Sequence, residues 1–499
     1  MFRKAILYLN TIRYLKLIQV YFRIYYYFNK IYLLKGEDDG EITLLNAFKW
    51  NVNNYTTQLL FNDEAACFLN ERHSIKKSVI WNDKSKSKLW LYNLHYFDDL
   101  NSHNNHERFK YHHHLIKRWI NENPAPFGNG WEPYTLSLRI VNLVKWCSRN
   151  NIQDKKILSS LVQQGYVLKQ QFEYHILANH LFANAKALVF LGSFLGGKLG
   201  RDFLCKGMDT LKKEMNVQFL KDGAHFELSP MYHSLMLWDV LELIDLVIKT
   251  KNQELLIEID KWKYIASNGI KWLSLMCHPD NDIAFFNDSS FSIAPKLNEI
   301  KKYAKKLGIQ ELSINKKSIS SMPDSGFSRV NLCKNRSVLF INHSDIKPSF
   351  QPGHSHADTL SFELSLFGER VFVNTGTSEY GVSEERNRQR STLSHNTLNI
   401  NNKDSSEVWG GFRVARRAKV VKYNYEDSNA VKRVNAAHDG YTKIKANLIH
   451  HRSWQCNTNL LIISDIVKGS KDLKVCSRYH IHPNIRIIKF SKYDVLLKI

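Results

Sequence analysis

The chain has 499 residues, of which 43% are hydrophobic and 12% aromatic, and its formal net charge is +23. This composition excludes a disordered chain, and at roughly 100–200 residues per domain the length predicts two or three domains. The excess of 70 Lys and Arg over 47 Asp and Glu favours an anionic partner, either nucleic acid, anionic lipid or acidic polysaccharide. Seven scattered cysteines without a C-x-x-C pair indicate neither a disulfide framework nor a cysteine metal site.

The N-terminal stretch MFRKAILYLNTIRYLKLIQVYFRIYYYF (1–28) is basic, and the first acidic residue of the chain is Glu37. Its uncharged runs are far shorter than the roughly 18–20 apolar residues of a membrane span, and no small-residue cleavage site follows. We expect either a basic helix in peripheral contact with a membrane through residues 1–28 or a helix docked on its own domain. Residues 1–40 are therefore treated as a basic amphipathic N-terminal segment.

Helical periodicity extends over the next domain, predicted at residues 41–318. In YTLSLRIVNLVKWCSRN, apolar residues recur at i, i+4, i+7 and i+8, from Leu136 to Val144. Before the helix predicted at 232–250, Ser229 is suited to cap the helix and Pro230 to occupy its first turn. Short polar connections favour antiparallel helix pairs packed as a layered array or closed ring. Further helices are predicted at about 156–173, 177–195, 201–217, 232–250 and 254–276.

The period changes after SMPDSGFSRV, and residues 319–499 are predicted to form an antiparallel sheet domain. Runs such as SVLFINHS, TLSFELSLFG and NLLIISDIV are short, β-branched or alternating, and are bounded by Gly, Asn and Asp. The chain stops in KFSKYDVLLKI, which resembles another strand, so truncation of this domain stays open.

The segment GHSHAD places His354, His356 and Asp358 at alternate positions. In an extended strand these three side chains would share one face and form a site, whereas the simpler interpretation is a solvated strand edge. If Gly353 instead loosens the backbone into a turn, the two histidines can point in different directions, His354 into a cleft and His356 toward other ligands.

Three helical segments are also unusually polar. Taken singly, each residue has a structural explanation, such as a helix cap, a packing tyrosine or a solvated charge. The residues are Asn179, His180 and Asn184 in ANHLFANAKALVF, Tyr232 and His233 in KDGAHFELSPMYHSLML, and Glu132, Tyr134 and Arg139 in GNGWEPYTLSLRIVNL.

Together, these motifs resemble the heparinase II/III-like polysaccharide lyases over roughly residues 90–499. The resemblance implies an α+β multidomain fold, with an N-terminal (α/α) toroid of helical hairpins followed by a C-terminal antiparallel β-sandwich. The stretch SSEVWGGFRVARR (405–417) further resembles the branch encoded beside bacterial surface-polysaccharide genes. The ordered motifs are ANHLFANAKAL, DGAHFELSPMYH, GHSHADTLSFEL followed by VFVNTGTSEYG, and RSTLSHNTLNI.

The resemblance implies β-elimination on a uronic-acid-containing polysaccharide. Such a reaction needs an amide to neutralise the uronate carboxylate, a base near neutral pKa, and a hydroxyl to protonate the leaving oxygen. By similarity, the catalytic residues are Asn179 with His180 beside it, His354 as base and Tyr232 as the hydroxyl. Candidate substrate-binding residues are Arg139, Glu132, Tyr134, His233 and Arg390.

The resemblance also implies a metal set of His356, Asn374 and His395. Asn374 stands where several family members have Asp, and an amide oxygen is a weak neutral ligand for Zn²⁺. We therefore expect no required cofactor and, where a metal binds, a structural Zn²⁺.

The alternative hypothesis is a non-catalytic protein of a capsule or O-antigen assembly system that binds a polyanionic glycan. Nucleic acid is not an expected partner, because no zinc-finger, RNA-recognition or helix-turn-helix signature is present. The family resemblance favours a periplasmic location, whereas the weak export signal favours a cytoplasmic or membrane-peripheral one.

Overall fold

The computed structural model describes residues 2–34, 43–45, 48–51, 53–61, 64–313, 317–333, 336–428, 431–457, 459–469 and 472–499. Among them, helices dominate up to residue 306 and antiparallel strands dominate from residue 319, in the predicted order. No helix of this described part is long and apolar enough to cross a membrane. The helices are α1 (Phe2–Ile12), α2 (Leu17–Phe28), α3 (Lys88–Tyr96), α4 (Phe109–Glu122), α5 (Pro133–Asn150), α6 (Lys155–Gln170), α7 (Ala178–Phe194), α8 (Gly197–Gln218), α9 (Pro230–Thr250), α10 (Gln253–Leu256), α11 (Ile259–Leu275), α12 (Leu297–Lys306) and α13 (Glu384–Arg390).

All strand pairs formed by the described residues are antiparallel. A five-stranded sheet has the order β4-β5-β6-β7-β8 and a four-stranded sheet the order β12-β13-β14-β15, while β1-β2-β3, β10-β11, β9-β16 and β17-β18 form smaller sheets. The strands are β1 (Leu60–Phe61), β2 (Ala65–Phe68), β3 (Glu71–Ser74), β4 (Ile319–Met322), β5 (Phe327–Cys333), β6 (Ser337–Asn342), β7 (Phe362–Leu366), β8 (Glu369–Phe372), β9 (Leu398–Ile400), β10 (Val408–Trp409), β11 (Arg413–Val414), β12 (Val420–Asp427), β13 (Lys432–His438), β14 (Ile449–Cys456), β15 (Leu461–Lys468), β16 (Val475–Ser477), β17 (Arg486–Phe490) and β18 (Val495–Lys498).

The chain divides into two compact units. The sheet unit comprises Met1–Leu15, Gln218–Trp238 and Tyr264–Ile499, and the helical unit comprises Lys16–Val217 and Asp239–Lys263. Of the domain boundaries predicted from the sequence, the one at 40/41 lies outside the described residues and the one at 318/319 stays a prediction.

The sheet unit is organised around β6, all six residues of which are buried. Because side chains alternate along a strand, Leu339 and Ile341 pack into a core with Trp454 of the four-stranded sheet. Val338 and Phe340 point the other way, into a second core that contains Trp272 of α11. A strand buried on both faces carries a continuous apolar run, which explains the sequence SVLFIN.

The helical unit is centred on α7, in which every residue except His180 is buried. Several buried charged groups inside this unit form ion pairs. Glu242 of α9 binds Lys145 of α5 and lies 2.5 Å from Lys186 of α7. Burial alone raises the pKa of Glu242, but the two lysines outweigh that effect and hold the pKa at about 2.

One part of the predicted helical region is a sheet instead. Strands β1 to β3 lie at residues 60–61, 65–68 and 71–74, and β2 and β3 are joined through Leu69 and Asn70, both of which have positive φ. Two consecutive left-handed residues form the tight turn of a hairpin, for which asparagine is favourable. Because β2 and β3 have only four residues each, the alternation of apolar and polar side chains is too short to distinguish these strands from a helix in the sequence.

Replacing Glu242 with glutamine should destabilise the protein by about 3 kcal/mol, because the buried Lys145 then loses its carboxylate partner, while Lys186 keeps Asp239 at 2.5 Å. Thermal unfolding followed by circular dichroism measures this effect. The matched control is Glu426→Gln, whose side chain is 56% exposed and pairs with Arg433; its cost should be below about 1 kcal/mol. Equal effects of the two substitutions would contradict the prediction.

Candidate active site

The centre of the candidate site in the sheet unit is the carboxylate of Asp288, which is fully buried. Its Oδ2 lies 2.8 Å from His354 Nδ1, and its Oδ1 lies 2.8 Å from His356 Nε2. Arg386 binds both oxygens with its two terminal nitrogens, and Thr377 donates to Oδ1 at 3.1 Å. Two histidines, one arginine and one threonine therefore share this carboxylate.

The ionisation of Asp288 fixes the tautomers of both histidines. Burial alone raises the pKa of Asp288, but the charge of Arg386 and the hydrogen bonds from His354 and His356 outweigh it and hold the pKa well below its ordinary value. Because an ionised carboxylate only accepts hydrogen bonds, His354 Nδ1 and His356 Nε2 each carry a proton. Neutral His354 then has its lone pair on Nε2, the atom with which it can act as a base.

Tyr232 lies directly against His354. The two rings are stacked with their centroids 3.8 Å apart, and the hydroxyl of Tyr232 lies 3.0 Å from that of Tyr380. Burial raises the pKa of Tyr380 well above its ordinary value, so this hydroxyl stays protonated. The position of Tyr232 follows from the helix start predicted from the sequence, since α9 begins at Pro230 and Ser229 Oγ accepts a hydrogen bond from the Tyr232 amide.

The histidine segment itself is not a strand. Residues 351–360 are irregular or turn, and β7 begins only at Phe362, so the extended arrangement with one shared face is wrong. The segment instead runs along the loop that carries Asp288. The Asp288 amide donates to the His354 carbonyl at 3.0 Å, and the His356 amide donates to Asn287 Oδ1 at 3.1 Å. These bonds bring both histidines to the same carboxylate through different ring nitrogens.

The two histidines differ in exposure and therefore in what they can do. The side chain of His354 is 14% exposed, whereas that of His356 is 1% exposed. His356 Nδ1 lies 3.3 Å from His395 Nε2, and His395 Nδ1 lies 3.0 Å from Asn374 Oδ1. Burial lowers the pKa of His356 to about 4, so His356 is neutral near pH 7. His354 is the histidine of this pair that solvent or a substrate can reach.

The residues predicted to bind metal are neighbours, but they do not converge on one point. A tetrahedral zinc held by His356 Nδ1 and His395 Nε2 needs its other ligands on the side where these two atoms face each other. Asn374 Oδ1 lies at the opposite ring nitrogen of His395. No three His, Cys, Asp or Glu side chains among the described residues could hold a metal ion either. The set as arranged does not fit zinc, and elemental analysis of protein purified without chelator tests the zinc prediction.

Two residues predicted to bind substrate are held inside the sheet unit. His233 is buried, its Nδ1 accepts from the His225 amide at 3.0 Å, and its Nε2 lies 3.0 Å from the Gly269 carbonyl. Arg390 is also buried and donates to the carbonyls of Ser355 and Gly411. Because the polar atoms of both side chains serve backbone groups, the structure gives them positioning roles in place of substrate contact.

In the helical unit, Asn179 and His180 occupy the first turn of α7. The ring of His180 lies against that of Tyr134, with centroids 4.3 Å apart, and its Nδ1 lies 2.9 Å from Glu173 Oε1. Asn184 donates to the other carboxylate oxygen of Glu173 at 3.0 Å. The structure thus brings His180 and Tyr134 together, as two of the predicted site residues of this unit.

Two further predicted residues of the helical unit, Arg139 and Glu132, have different surroundings. The guanidinium of Arg139 is buried, lies 3.9 Å from the ring of Trp119 and donates to Gln164 and to two backbone carbonyls. It has a packing role in place of the predicted substrate contact. Glu132 is half-buried, accepts from the hydroxyl of Tyr92 and lies 2.9 Å from Lys88.

Asp288, Tyr380 and Glu173 escaped prediction from the sequence. Asp288 lies in the polar run NDSS within a region that was predicted helical, and no periodic spacing connects it to His354. Tyr380 is the second-last residue of the motif VFVNTGTSEYG but was assigned no role. Glu173 is an isolated acidic residue between helices, which without a structure looks like any solvated loop charge.

The comparisons with known proteins identify the family. The models described as "Heparinase II/III N-terminus" and "Heparinase II/III-like, C-terminal" match residues 86–309 and 315–498, so the chain belongs to the heparinase II/III family. It is 26% identical over 263 residues to a heparin-sulfate lyase of Bacteroides stercoris, a match that covers 47% of this chain and 37% of that protein. A heparin-sulfate lyase of Pedobacter heparinus is 27% identical over 276 residues, a match that covers 50% of this chain and 40% of the relative. The match therefore spans less than half the length of either relative.

A solved structure titled as heparinase III supports the fold. It matches 90% of this chain and 74% of its own with a TM-score of 0.64, at 18% sequence identity. Together with the helices and antiparallel sheets described above, this likeness confirms the predicted fold class of an (α/α) toroid followed by an antiparallel β-sandwich.

The buried carboxyl of Asp358 should make stability depend on pH. Its Oδ2 has no hydrogen-bond partner among the described residues, and burial raises its pKa from 3.8 to about 7. The protonated Asp358 carboxyl contributes stability that is complete below pH 3.8 and is lost as the pH rises to and through about 7. Between these two pH values the free energy of unfolding falls by roughly 1.4 kcal/mol per pH unit. Asp358→Asn should remove this loss, as chemical denaturation at several pH values will measure. The exposed Asp494→Asn should keep the wild-type pH dependence, and an unchanged dependence in Asp358→Asn would contradict the prediction.

Proposed function

We propose that the chain is a polysaccharide lyase that cleaves a uronic-acid-containing acidic polysaccharide by β-elimination. The observation that carries this proposal is the arrangement of Tyr232 and His354 around Asp288, in which a half-buried tyrosine stacks on a histidine whose tautomer leaves Nε2 basic. His354 as base and Tyr232 as acid are therefore close enough to act on the same sugar ring. The family membership supports the same reaction type.

The elimination uses these groups in a balanced step. His354 Nε2 takes the C5 proton of the uronate, the electron pair of the broken C–H bond forms the C4–C5 double bond, and the bond from C4 to the glycosidic oxygen breaks. The hydroxyl of Tyr232 protonates the departing oxygen, and the Tyr380 hydroxyl at 3.0 Å is its hydrogen-bond partner. Neutralisation of the uronate carboxylate, without which the C5 proton is too weakly acidic, stays the role predicted for Asn179 from the family resemblance.

The proposed substrate is an acidic glycan, and heparan sulfate is the first to test because the relatives are named heparin-sulfate lyases. A net charge of +23 favours binding of such a polyanion. The test is incubation with a panel of heparan sulfate, alginate, hyaluronan and chondroitin sulfate, followed by the ultraviolet absorbance of unsaturated uronate ends. Tight binding without any unsaturated product would instead support the non-catalytic glycan-binding alternative.

His354→Ala and Tyr232→Phe should each lower kcat by about a hundredfold or more, because each removes one proton-transfer group. Tyr232→Phe should keep the melting temperature within a few degrees, because it removes a single hydroxyl, whereas His354→Ala should lower it further, because the buried Asp288 carboxylate loses one hydrogen bond. The matched control for the tyrosine is the exposed Tyr493→Phe, which should leave turnover unchanged. Wild-type turnover in both site variants would rule out the proposed roles.

Asp288→Asn should reduce kcat through His354, because an amide no longer selects the Nδ1 tautomer or balances Arg386. If Asp288 acts by positioning His354, the double variant Asp288→Asn/His354→Ala should be no slower than His354→Ala alone. Steady-state kinetics of the three variants measure this coupling. Fully additive losses would mean that Asp288 serves the reaction independently of His354.

A further inference from the structure

We propose that the outward face of α2 binds the surface of an anionic lipid membrane. This inference is independent of the proposed lyase activity, because it rests on the surface of one helix. The α2 apolar face consists of Leu17, Tyr21, Ile24 and Phe28, which recur at i, i+4, i+7 and i+11 and therefore form one stripe along the helix.

The opposite side of α2 already attaches the helix to the helical unit. Gln19 is 1% exposed and donates to the Ile176 carbonyl, and the ring of Phe22 lies 4.6 Å from that of Tyr174. Tyr26 donates its hydroxyl proton to the Phe172 carbonyl. These contacts occupy the positions i, i+3 and i+7 on the inward side and fix which residues point outward.

The outward side of α2 is apolar, whereas the outward side of an ordinary surface helix is polar. An amphipathic helix on a globular domain turns charged residues to water, but the stripe of α2 is apolar. Leu17 is 88% exposed, Tyr21 61%, Ile24 58% and Phe28 76%. The flanking Val20, Tyr25 and Tyr27 are also exposed and apolar or aromatic, so the residues form one continuous patch. Contiguous patches of this kind mark interaction surfaces.

The charge around the patch selects the partner. Lys16, Arg23 and Lys30 border it and are exposed, while residues 1–36 contain no Asp or Glu. Aliphatic and aromatic side chains on one face with only cations at the margin are the pattern of a helix that lies in the interface of an anionic bilayer. Tyrosines suit the headgroup level, because each has an apolar ring and a polar tip.

A second copy of the chain is the less favourable occupant. In a twofold interface the same patch meets itself, so Arg23 and Lys30 of both copies would approach one another with no acidic residue of α2 between them. Anionic headgroups supply the missing counter-charge. The bilayer therefore satisfies both the apolar stripe and its cationic margin.

The experiment is co-sedimentation of the full chain with vesicles. The protein should bind vesicles of phosphatidylcholine and phosphatidylglycerol in equal parts, and it should bind pure phosphatidylcholine at least about tenfold more weakly, with salt reducing the difference. The triple variant Tyr21→Ser/Ile24→Ser/Phe28→Ser should lose about tenfold or more of the binding to anionic vesicles. The charge variant Arg23→Glu/Lys30→Glu, which keeps the apolar stripe, should lose the preference for anionic lipid.

The matched control is Ile488→Ser/Phe490→Ser/Tyr493→Ser, which removes the same three residue types from exposed positions elsewhere. It should bind vesicles as the wild type does, and circular dichroism melts should show that all variants are folded. Vesicle binding that survives both α2 variants would overturn the proposal. A second result would also overturn the proposal: the chain does not bind vesicles, and light scattering detects a dimer that the triple serine variant dissociates. The patch would then join two copies of the chain.

Discussion

Burying the negative charge of Asp288 is the constraint on which the candidate site depends. A carboxylate removed from water is costly unless opposite charge and hydrogen bonds replace its hydration. Arg386 supplies the charge, and His354, His356 and Thr377 supply the bonds. Each partner is held in return, so His354 has one tautomer and one orientation. The rigidity of the site is a consequence of satisfying this one group.

The helical unit contains the same arrangement of a histidine, a buried carboxylate and a tyrosine, formed by different residues. His180 also has its Nδ1 against a buried carboxylate, that of Glu173, and its ring also lies against a tyrosine, Tyr134. In both units the carboxylate orients the imidazole and the aromatic ring restricts its rotation. Two histidines with oriented rings and partly exposed edges therefore arise from segments that are unrelated in sequence.

Local patterns in the sequence predicted much of this structure because they report local physics. The i, i+4, i+7 spacing located α5 to α9, and Ser229-Pro230 located the start of α9 and with it Tyr232. Family motifs supplied His354 and Asn179 as candidates. Asp288 could not be found in this way, since its role comes from contacts across 66 positions of chain. Likewise, nothing in the sequence distinguishes a buried Arg139 or Arg390 from a cation that faces an anionic ligand.

The double-sided burial of β6 ties the sandwich to the end of α11. Leu339 belongs to the core that holds Trp454, and its neighbour Phe340 belongs to the core that holds Trp272. Neither core can lose its packing while the strand between them stays in place. We therefore expect the two cores to form one cooperative folding block. The loop that carries Asp288 follows directly from Phe286, which belongs to the core with Trp272. The order of the Asp288 carboxylate would then be set by the stability of the whole block and not by that of its own loop.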